Sequence, residues 1–383
     1  VGASIFSYFE ESAERCLRDI EAAKESGTRV AGVYCIFAPV ELIRAAGAIP
    51  VGLCGTRDTP IRAAEAVLPS NLCPLIKSSY GFAITGTCPF FDASDFIVAE
   101  TTCDGKKKMY ELLGLLRPLH LMHLPQTCEP DWAMEAWLEA LFRLRDFLET
   151  RTGKRVESEE LRHQIAIHNR LRRELKRITG LCANPIVPIT GLDMLTVTSA
   201  KGAHVDSEEY VRHLEELAGE LEDMQRRGIE AAPAGAPRIL LTGCPVGRGS
   251  EKVLRLIEGG GGIVVCQEHC GGIKAFDILT EEDGDPYFHL ASRYLRSPCS
   301  CMTPNRGRME LLHRLIREFH VQGVVDLTWQ CCHTYNIESY TARGFVEREL
   351  DIPFLHLETD YSTTDTGQLR TRIEAFLELV ENR

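Results

Sequence analysis

The sequence predicts an α/β protein made of two similar open parallel sheets, with a helical excursion joining them. Three observations carry this expectation. Short apolar runs rich in Val, Ile and Leu on both faces alternate with helix-like segments, as in sheets covered by helices on each side. The same order of elements recurs in the second half of the chain. The 383 residues also exceed what one hydrophobic core comfortably organises, so two domains are expected.

An amphipathic helix is expected over roughly 5–27. Residues 30–55, "VAGVYCIFAPVELIRAAGAIPVGLCG", read as a strand, a turn holding Cys35 and Pro39, a helix stopped by Gly47, and a strand ending at Cys54. "SDFIVAETTCD" ends a further strand at Cys103, followed by a helix over about 107–115 and the strand "HLMHLP". Helices are then expected over 132–150, 157–178 and 207–227, with "GLCANPIVPITGLDML" as an intervening turn. "EAAPAGAP" at 230–237 is an Ala/Pro/Gly linker. Beyond it, "RILLTGCPVGRGSEKVLRLIEGGGGIVVCQEHC" repeats the opening order: a strand, Cys244-Pro245, a helix over about 250–258, a glycine stop, and a strand ending at Cys266. "GVVDLTWQCCH" ends a strand near Cys332, before a helix and the strand "PFLHLETD". The architecture is therefore Rossmann-like or flavodoxin-like and duplicated. It divides as 1–180, a helical region at 181–234, and 235–383.

Composition narrows the function classes. A formal charge of −12 disfavours a general nucleic-acid binder. The absence of an 18-residue apolar run disfavours a membrane span. "VGASIFSYFEESAERC" has neither a basic n-region nor a long apolar h-region, so no secretory signal is expected. The chain has 15 cysteines, an odd number, which together with that start points to a reducing, cytoplasmic compartment.

The cysteines are unevenly placed. Cys35, Cys54, Cys103, Cys244, Cys266 and Cys332 fall at carboxyl ends of expected strands or just beyond, the edge at which open α/β sheets bind ligands. Buried apolar thiols are the plain alternative for many of the 15. Zinc-type C-x₂-C pairs and the bacterial ferredoxin spacing are both missing, so a metal centre has to draw on distant segments, with the two domains as jaws. Lys106, Lys107 and Lys108 fall on or near the first turn of a helix, where cations are ordinarily unfavourable. They can offset an anionic cluster, lower the pKa of an unliganded Cys103, or form a solvated face with Asp104 as N-cap. Nucleotide motifs are unconvincing. "GCPVGRGSEK" fits neither phosphate fingerprint, although its backbone amides can receive an anion. "EGGGGIVV" is a helix stop and turn.

"YCIFAPVELIRAAGAIPVGLCG", "LCPLIKSSYG", "AETTCDGKKKMYELL", "LTGCPVGRGSEKV", "YLRSPCSCMTPNRGR" and "CCHTYNIES" together resemble the 2-hydroxyacyl-CoA dehydratase D-component/benzoyl-CoA reductase superfamily. Within it the chain is most similar to the double-cubane cluster proteins. The resemblance implies an iron-sulfur reductase served by a separate dimeric [4Fe-4S] activator ATPase, with the cluster in the cleft between domains. It implies a double-cubane [8Fe-9S] cluster, or one [4Fe-4S] cluster in the dehydratases. By motif the first ligand set is Cys73, Cys103 and Cys332 of the "CCH" pair with Cys331. The second is Cys270, Cys299 and Cys301, with Cys35, Cys88 and Cys244 in reserve, while Cys16, Cys54, Cys128 and Cys182 are structural. His333, His269, Glu100 and Tyr80 are the candidate catalytic groups, with His123 beside them. Ser78, Lys106 and Lys107 are expected around the cofactor, with Lys106 closest. No basic patch is dedicated to the phosphates of CoA, which favours a small-molecule substrate. A homodimer is expected. The competing readings are a single-cubane dehydratase subunit, a non-catalytic cluster carrier, and a thiol enzyme built on Cys103.

Overall fold

The computed structural model describes residues 5–233 and 235–383. Readings that fall on Val1, Gly2, Ala3, Ser4 and the linker residue Ala234 lie outside the described residues. The first half builds a 4-stranded, all-parallel sheet from β1 (Arg29–Val33), β2 (Ala48–Gly52), β3 (Phe96–Glu100) and β4 (Leu119–Met122), in the order β2-β1-β3-β4. The second half builds another from β5 (Arg238–Gly243), β6 (Ile263–Glu268), β7 (Gly323–Trp329) and β8 (Phe354–Thr359), in the order β6-β5-β7-β8. The two orders are the same, so the duplication inferred from element order is present in the topology. β3, β6 and β7 are buried along their whole lengths, as strands covered by helices on both faces must be.

The expected helices form with shifted ends. The opening segment is two pieces, Ser7–Glu10 and Ser12–Glu25. The charged middle gives Asp131–Thr152, Ser158–Gly180 and Ser207–Arg226, and a further helix, Gly191–Ser199, begins inside the stretch read as a turn. The helix read over 107–115 begins earlier, at Asp104, and the one read over 250–258 runs Lys252–Gly259. Helices Pro74–Thr85, Pro286–Leu295, Arg306–Glu318 and Thr366–Glu381 carried no expectation. Among the described residues no helix is long and apolar enough to cross a membrane.

Two packing features join the halves. One apolar cluster runs from Ile49, Val51 and Ile97 of the first sheet to Leu241, Val264 and Leu327 of the second, and contains Cys73 and Cys244. Helix Pro286–Leu295, from the second half, is packed in the core of the first beside Trp137, Leu141 and Leu144. Across that contact the Tyr294 hydroxyl donates to Glu41 at 2.7 Å, and buried Glu41 also pairs with Arg172 of the middle helices.

Candidate metal centre at the seam of the two sheets

The strand ends carry thiols in both halves, two of the three pairs at the same offset from their strands. Cys54 stands two residues after β2 and Cys270 two after β6. Cys103 stands three after β3 and Cys332 three after β7. Cys35 follows β1 by two, and Cys244 follows β5 directly. Cys266 corrects the sequence reading. β6 continues through it to Glu268, so Cys266 is a buried strand residue and Cys270 takes the strand-end position. A β-bulge in the β5–β6 ladder between Ile239 and Leu240 leaves Cys266 opposite Leu240.

Three of these thiols cap helices. Cys73, Cys103 and Cys332 are the N-cap residues of Pro74–Thr85, Asp104–Leu113 and His333–Glu349. Amides of the first turn lie near each sulfur without closing a cap hydrogen bond: Leu75 and Ile76 by Cys73, Lys106 by Cys103, and Tyr335 by Cys332. A helix start offers unpaired N–H groups and about half a positive charge, which favours sulfur in its anionic form. Cys88 also caps a short helix, Pro89–Ala93.

Tertiary packing sorts the thiols into two groups, each drawing on both halves. In the first, the Cys332 thiol faces Cys73 and Cys244, which are buried in the apolar seam. In the second, Cys299 faces Cys270 and Cys301, and Cys35 lies in electrostatic contact with all of them. Cys103 bridges the two, facing Cys332 and Cys299. Within each group the thiols are close enough that holding one sulfur as the anion makes its neighbours harder to ionise. Cys103 itself is pushed up by burial, against the Lys106 amide and ammonium. All 15 cysteines are free.

The charged neighbours are specific. Lys106 is buried and donates to the Tyr34 carbonyl at 3.1 Å. Burial works against its charge, and Tyr110, Cys35, Cys54 and Glu100 together outweigh it. Lys107 and Lys108 instead lie exposed, paired with Asp104 at 2.8 Å and Glu111 at 2.6 Å. Two lysines that drew no attention in the sequence join Lys106. Lys201 donates to the Gly271 carbonyl at 2.8 Å and faces Cys270 and Cys54. Lys274, fully buried, pairs with Glu268 at 2.8 Å and faces Cys270 and Cys299. Behind Lys274, buried Arg308 links Glu338 at 2.6 Å and Asp326 at 3.3 Å. No local pattern marks Lys201 or Lys274. Only their contacts do.

The acid–base candidates separate. Glu100, at the end of β3, is wholly buried, and neither carboxyl oxygen has a partner on another residue. Burial raises it to about 8 against the pull of Lys106. His269 is buried, and its Nδ1 accepts from the Gly271 and Gly272 amides at 3.0 and 3.2 Å while Nε2 meets Gln267 at 3.2 Å. Burial, then Lys201 and Lys274, push it down to about 3. His269 is thus a neutral clamp on the turn that carries Cys270. His333 is exposed at the first turn after Cys332, and His123 is exposed near β4. Tyr80 is buried on Pro74–Thr85. Ser78, on the same helix, is spent on the main chain of Arg57, donating to its carbonyl at 2.7 Å. The "GCPVGRGSEK" amides are occupied as well: Gly247 donates to Ser250 and Gly249 to Glu251, so the anion reading there is set aside. Of the cysteines read as structural, Cys16 and Cys182 are buried, whereas Cys54 and Cys128 are exposed. A cavity of about 440 Å³ opens outside the first thiol group, lined by Asp58, Arg62, Lys77, Cys331 and Asp360.

Among the described residues no three His, Cys, Asp or Glu side chains converge on one point as a single ion requires. The donor set fits a cluster better. A cubane takes one thiolate per iron, so its ligands surround a volume, and its negative charge calls for amide and cationic neighbours. Both thiol groups offer such soft donors, and the second has buried Lys106 and Lys274 and half-buried Lys201 around it.

The family model described as 2-hydroxyglutaryl-CoA dehydratase, D-component, matches residues 35–380. The protein named "Putative dehydratase subunit YjiM" of Escherichia coli (strain K12) is 42% identical over 377 residues, covering 98% of each chain. The (R)-phenyllactyl-CoA dehydratase beta subunit of Clostridium sporogenes is 23% identical, covering 93% of this chain and 92% of its own. One subunit of the benzoyl-CoA reductase of Thauera aromatica is 22% identical over 270 residues, covering 69% of this chain and 67% of its own. The duplicated parallel sheets, the capped thiols at their edges and these matches agree: the chain belongs to the 2-hydroxyglutaryl-CoA dehydratase D-component family.

Proposed function

We propose that this chain is an iron-sulfur reductase component that holds a double-cubane [8Fe-9S] cluster and reduces a small substrate with electrons from a separate dimeric [4Fe-4S] activator ATPase. The observation that carries the reading is the pair of thiol groups: one [4Fe-4S] unit needs only one of them. Cys73, Cys103 and Cys332, with Cys244 beside them, would hold one unit. Cys270, Cys299 and Cys301, with Cys35 beside them, would hold the other. Such a centre supplies low-potential electrons to a molecule bound next to it. The chain's own residues do the rest. Helix starts at Cys73, Cys103 and Cys332 favour the thiolate form and fix the sulfurs. We assign proton delivery to Glu100, which keeps its proton near neutral pH, and to His333 at the exposed helix start. Tyr80 is a candidate for the same role; His269 serves as the clamp described above. The cavity beside Cys331 admits a small polar substrate from solvent. Residues 1–180 and 235–383 are the two halves that close on the centre, in a cytoplasmic homodimer.

A second reading has the relatives' names in its favour: a subunit of a 2-hydroxyacyl-CoA dehydratase with one [4Fe-4S] cluster. Anaerobic iron and sulfide quantification with EPR of the reduced protein separates them. About eight irons per chain is expected, and about four supports the dehydratase subunit. Cys103→Ala should lower the iron content; an unchanged value and an intact spectrum would remove Cys103 from the ligand set. A non-catalytic carrier would pass its cluster to an acceptor without turnover under strong reduction.

A further inference from the structure

The two thiol groups have the same donor chemistry and different electrostatic surroundings. Around Cys73, Cys244 and Cys332 the neighbours are helix amides, the Trp329 amide at 3.4 Å from the Cys244 sulfur, and the apolar seam with Tyr361. Lys77 follows Cys73 by one helical turn, but its charge is spent on Glu65 at 2.7 Å. Around the second group stand Lys106, facing Cys35, and Lys201, facing Cys270. Each donates only to main-chain carbonyls: Lys106 to Tyr34, and Lys201 to Thr198 and Gly271. Among the described residues neither has a carboxylate within ion-pair distance. Lys274 adds a third cation there, offset by Glu268.

Magnitude decides between these surroundings. A helix start contributes about half a charge, and that is screened beyond the first turn. An ammonium without a counter-ion, buried at Lys106 and half-buried at Lys201, carries a full charge that water screens only in part. The natural counter-ion of such an ammonium is an anion in the space it faces. For Lys201 that space is the second thiol group at Cys270; for Lys106 it is the second group at Cys35 together with Cys103, the sulfur that bridges the two groups.

Resting on the double-cubane reading above, we infer that Lys106 and Lys201 are the counter-cations of the Cys35/Cys270/Cys299/Cys301 site and make it the more easily reduced of the two. They are positioning residues that set the energy of the added electron, not groups that touch substrate. The lysines come from different parts of the chain: one from the first turn of the helix Asp104–Leu113 that follows β3, the other from the short 3₁₀ segment Ala200–Gly202 of the helical excursion. The excursion therefore delivers a charge to the centre as well as joining the halves.

The test uses the cluster-loaded full chain, purified anaerobically, in an EPR-monitored redox titration with iron counted on each sample. Cys73→Ser and Cys270→Ser assign the two reduction steps. In Lys106→Met and in Lys201→Met the step perturbed by Cys270→Ser should shift to lower potential, the other step should shift less, and iron content should stay at the wild-type value. Lys106→Arg should restore the wild-type step. A larger shift in the step assigned by Cys73→Ser, no shift in either, or loss of iron with the lysine would overturn the inference and leave these lysines structural. Failure of the underlying reading has its own signature. About four irons in the wild-type chain overturns the two-site premise, whereas about eight irons with unmoved potentials overturns the lysine assignment alone.

Discussion

Adjacent lysines on one helix turn have opposite environments here. Lys106 is 8% exposed, while Lys107 and Lys108 reach out to Asp104 and Glu111. The helix sets this: positions one apart point about 100° from each other, so only one of the three can face the seam. Glu100 shares the Lys106 environment and yields a pH prediction. Its folded pKa is about 8 against 4.5 for an ordinary glutamate, so between those values the folded chain holds a proton the unfolded chain has released. Stability then falls as pH rises through that window. Glu100→Gln removes the titration, so its melting temperature should gain on wild type progressively from about pH 5 to about pH 8. A difference constant across that range would count against a buried, proton-holding Glu100. The sequence marked Glu100 as a candidate because it sits beside Cys103. It could not show that burial rather than a partner would set its proton.

At the scale of elements, the strand-to-turn joints carry the site. β5 reaches Cys244 through Gly243, whose φ is +104° and whose missing Cβ would lie 2.2 Å from the Leu327 carbonyl oxygen on β7. A side chain there meets both an unfavourable backbone region and main chain that cannot move aside. Gly243→Ala should therefore cost at least about 1–3 kcal/mol of stability, measured by urea denaturation. It should also lower iron content, because it displaces the strand end that presents Cys244. Wild-type stability in that variant would show that the turn relaxes freely. Much of this scale was legible in sequence. Apolar runs, Gly stops and strand-end cysteines located β1 to β8, because each is a local signal. Cys266 was misplaced because a two-residue extension of β6 is invisible to periodicity. The helix after Cys73 gives no amphipathic signal because Pro74 to Gly81 are all buried; the helices flanking Cys299 are amphipathic, a signal the sequence reading left unused.

The whole molecule depends on contacts that tie distant segments. Glu41, at 0% exposure, takes Arg172 from the middle helices and Tyr294 from the second half. Burial alone would raise its pKa, but Arg172, His168 and Arg293 hold it well below the usual carboxylate range. A depressed carboxylate contributes stability that is complete above the unfolded value of 4.5 and lost as pH falls toward the folded one. Glu41→Ala should cost about 3–5 kcal/mol by leaving Arg172 buried without its partner. The deficit should shrink in acid unfolding measurements as pH drops below about 4. A loss under about 1 kcal/mol would place the junction of the halves elsewhere.

The sequence by itself determined the duplicated α/β plan, the family resemblance, and the rule that thiols cluster where strands end. These rest on interactions within a few residues: side-chain alternation, turns, and caps. Tertiary structure decided which thiols meet. Cys73 joins Cys244 and Cys332, and Cys35 joins Cys270, Cys299 and Cys301, so each group crosses the seam between the halves. It also decided that Lys201 and Lys274 stand beside Lys106 at one group, and that His269 is a clamp. Such pairings are fixed by how two buried sheet edges and the helices around them pack, and no local pattern records the segment on the other side of a packed interface.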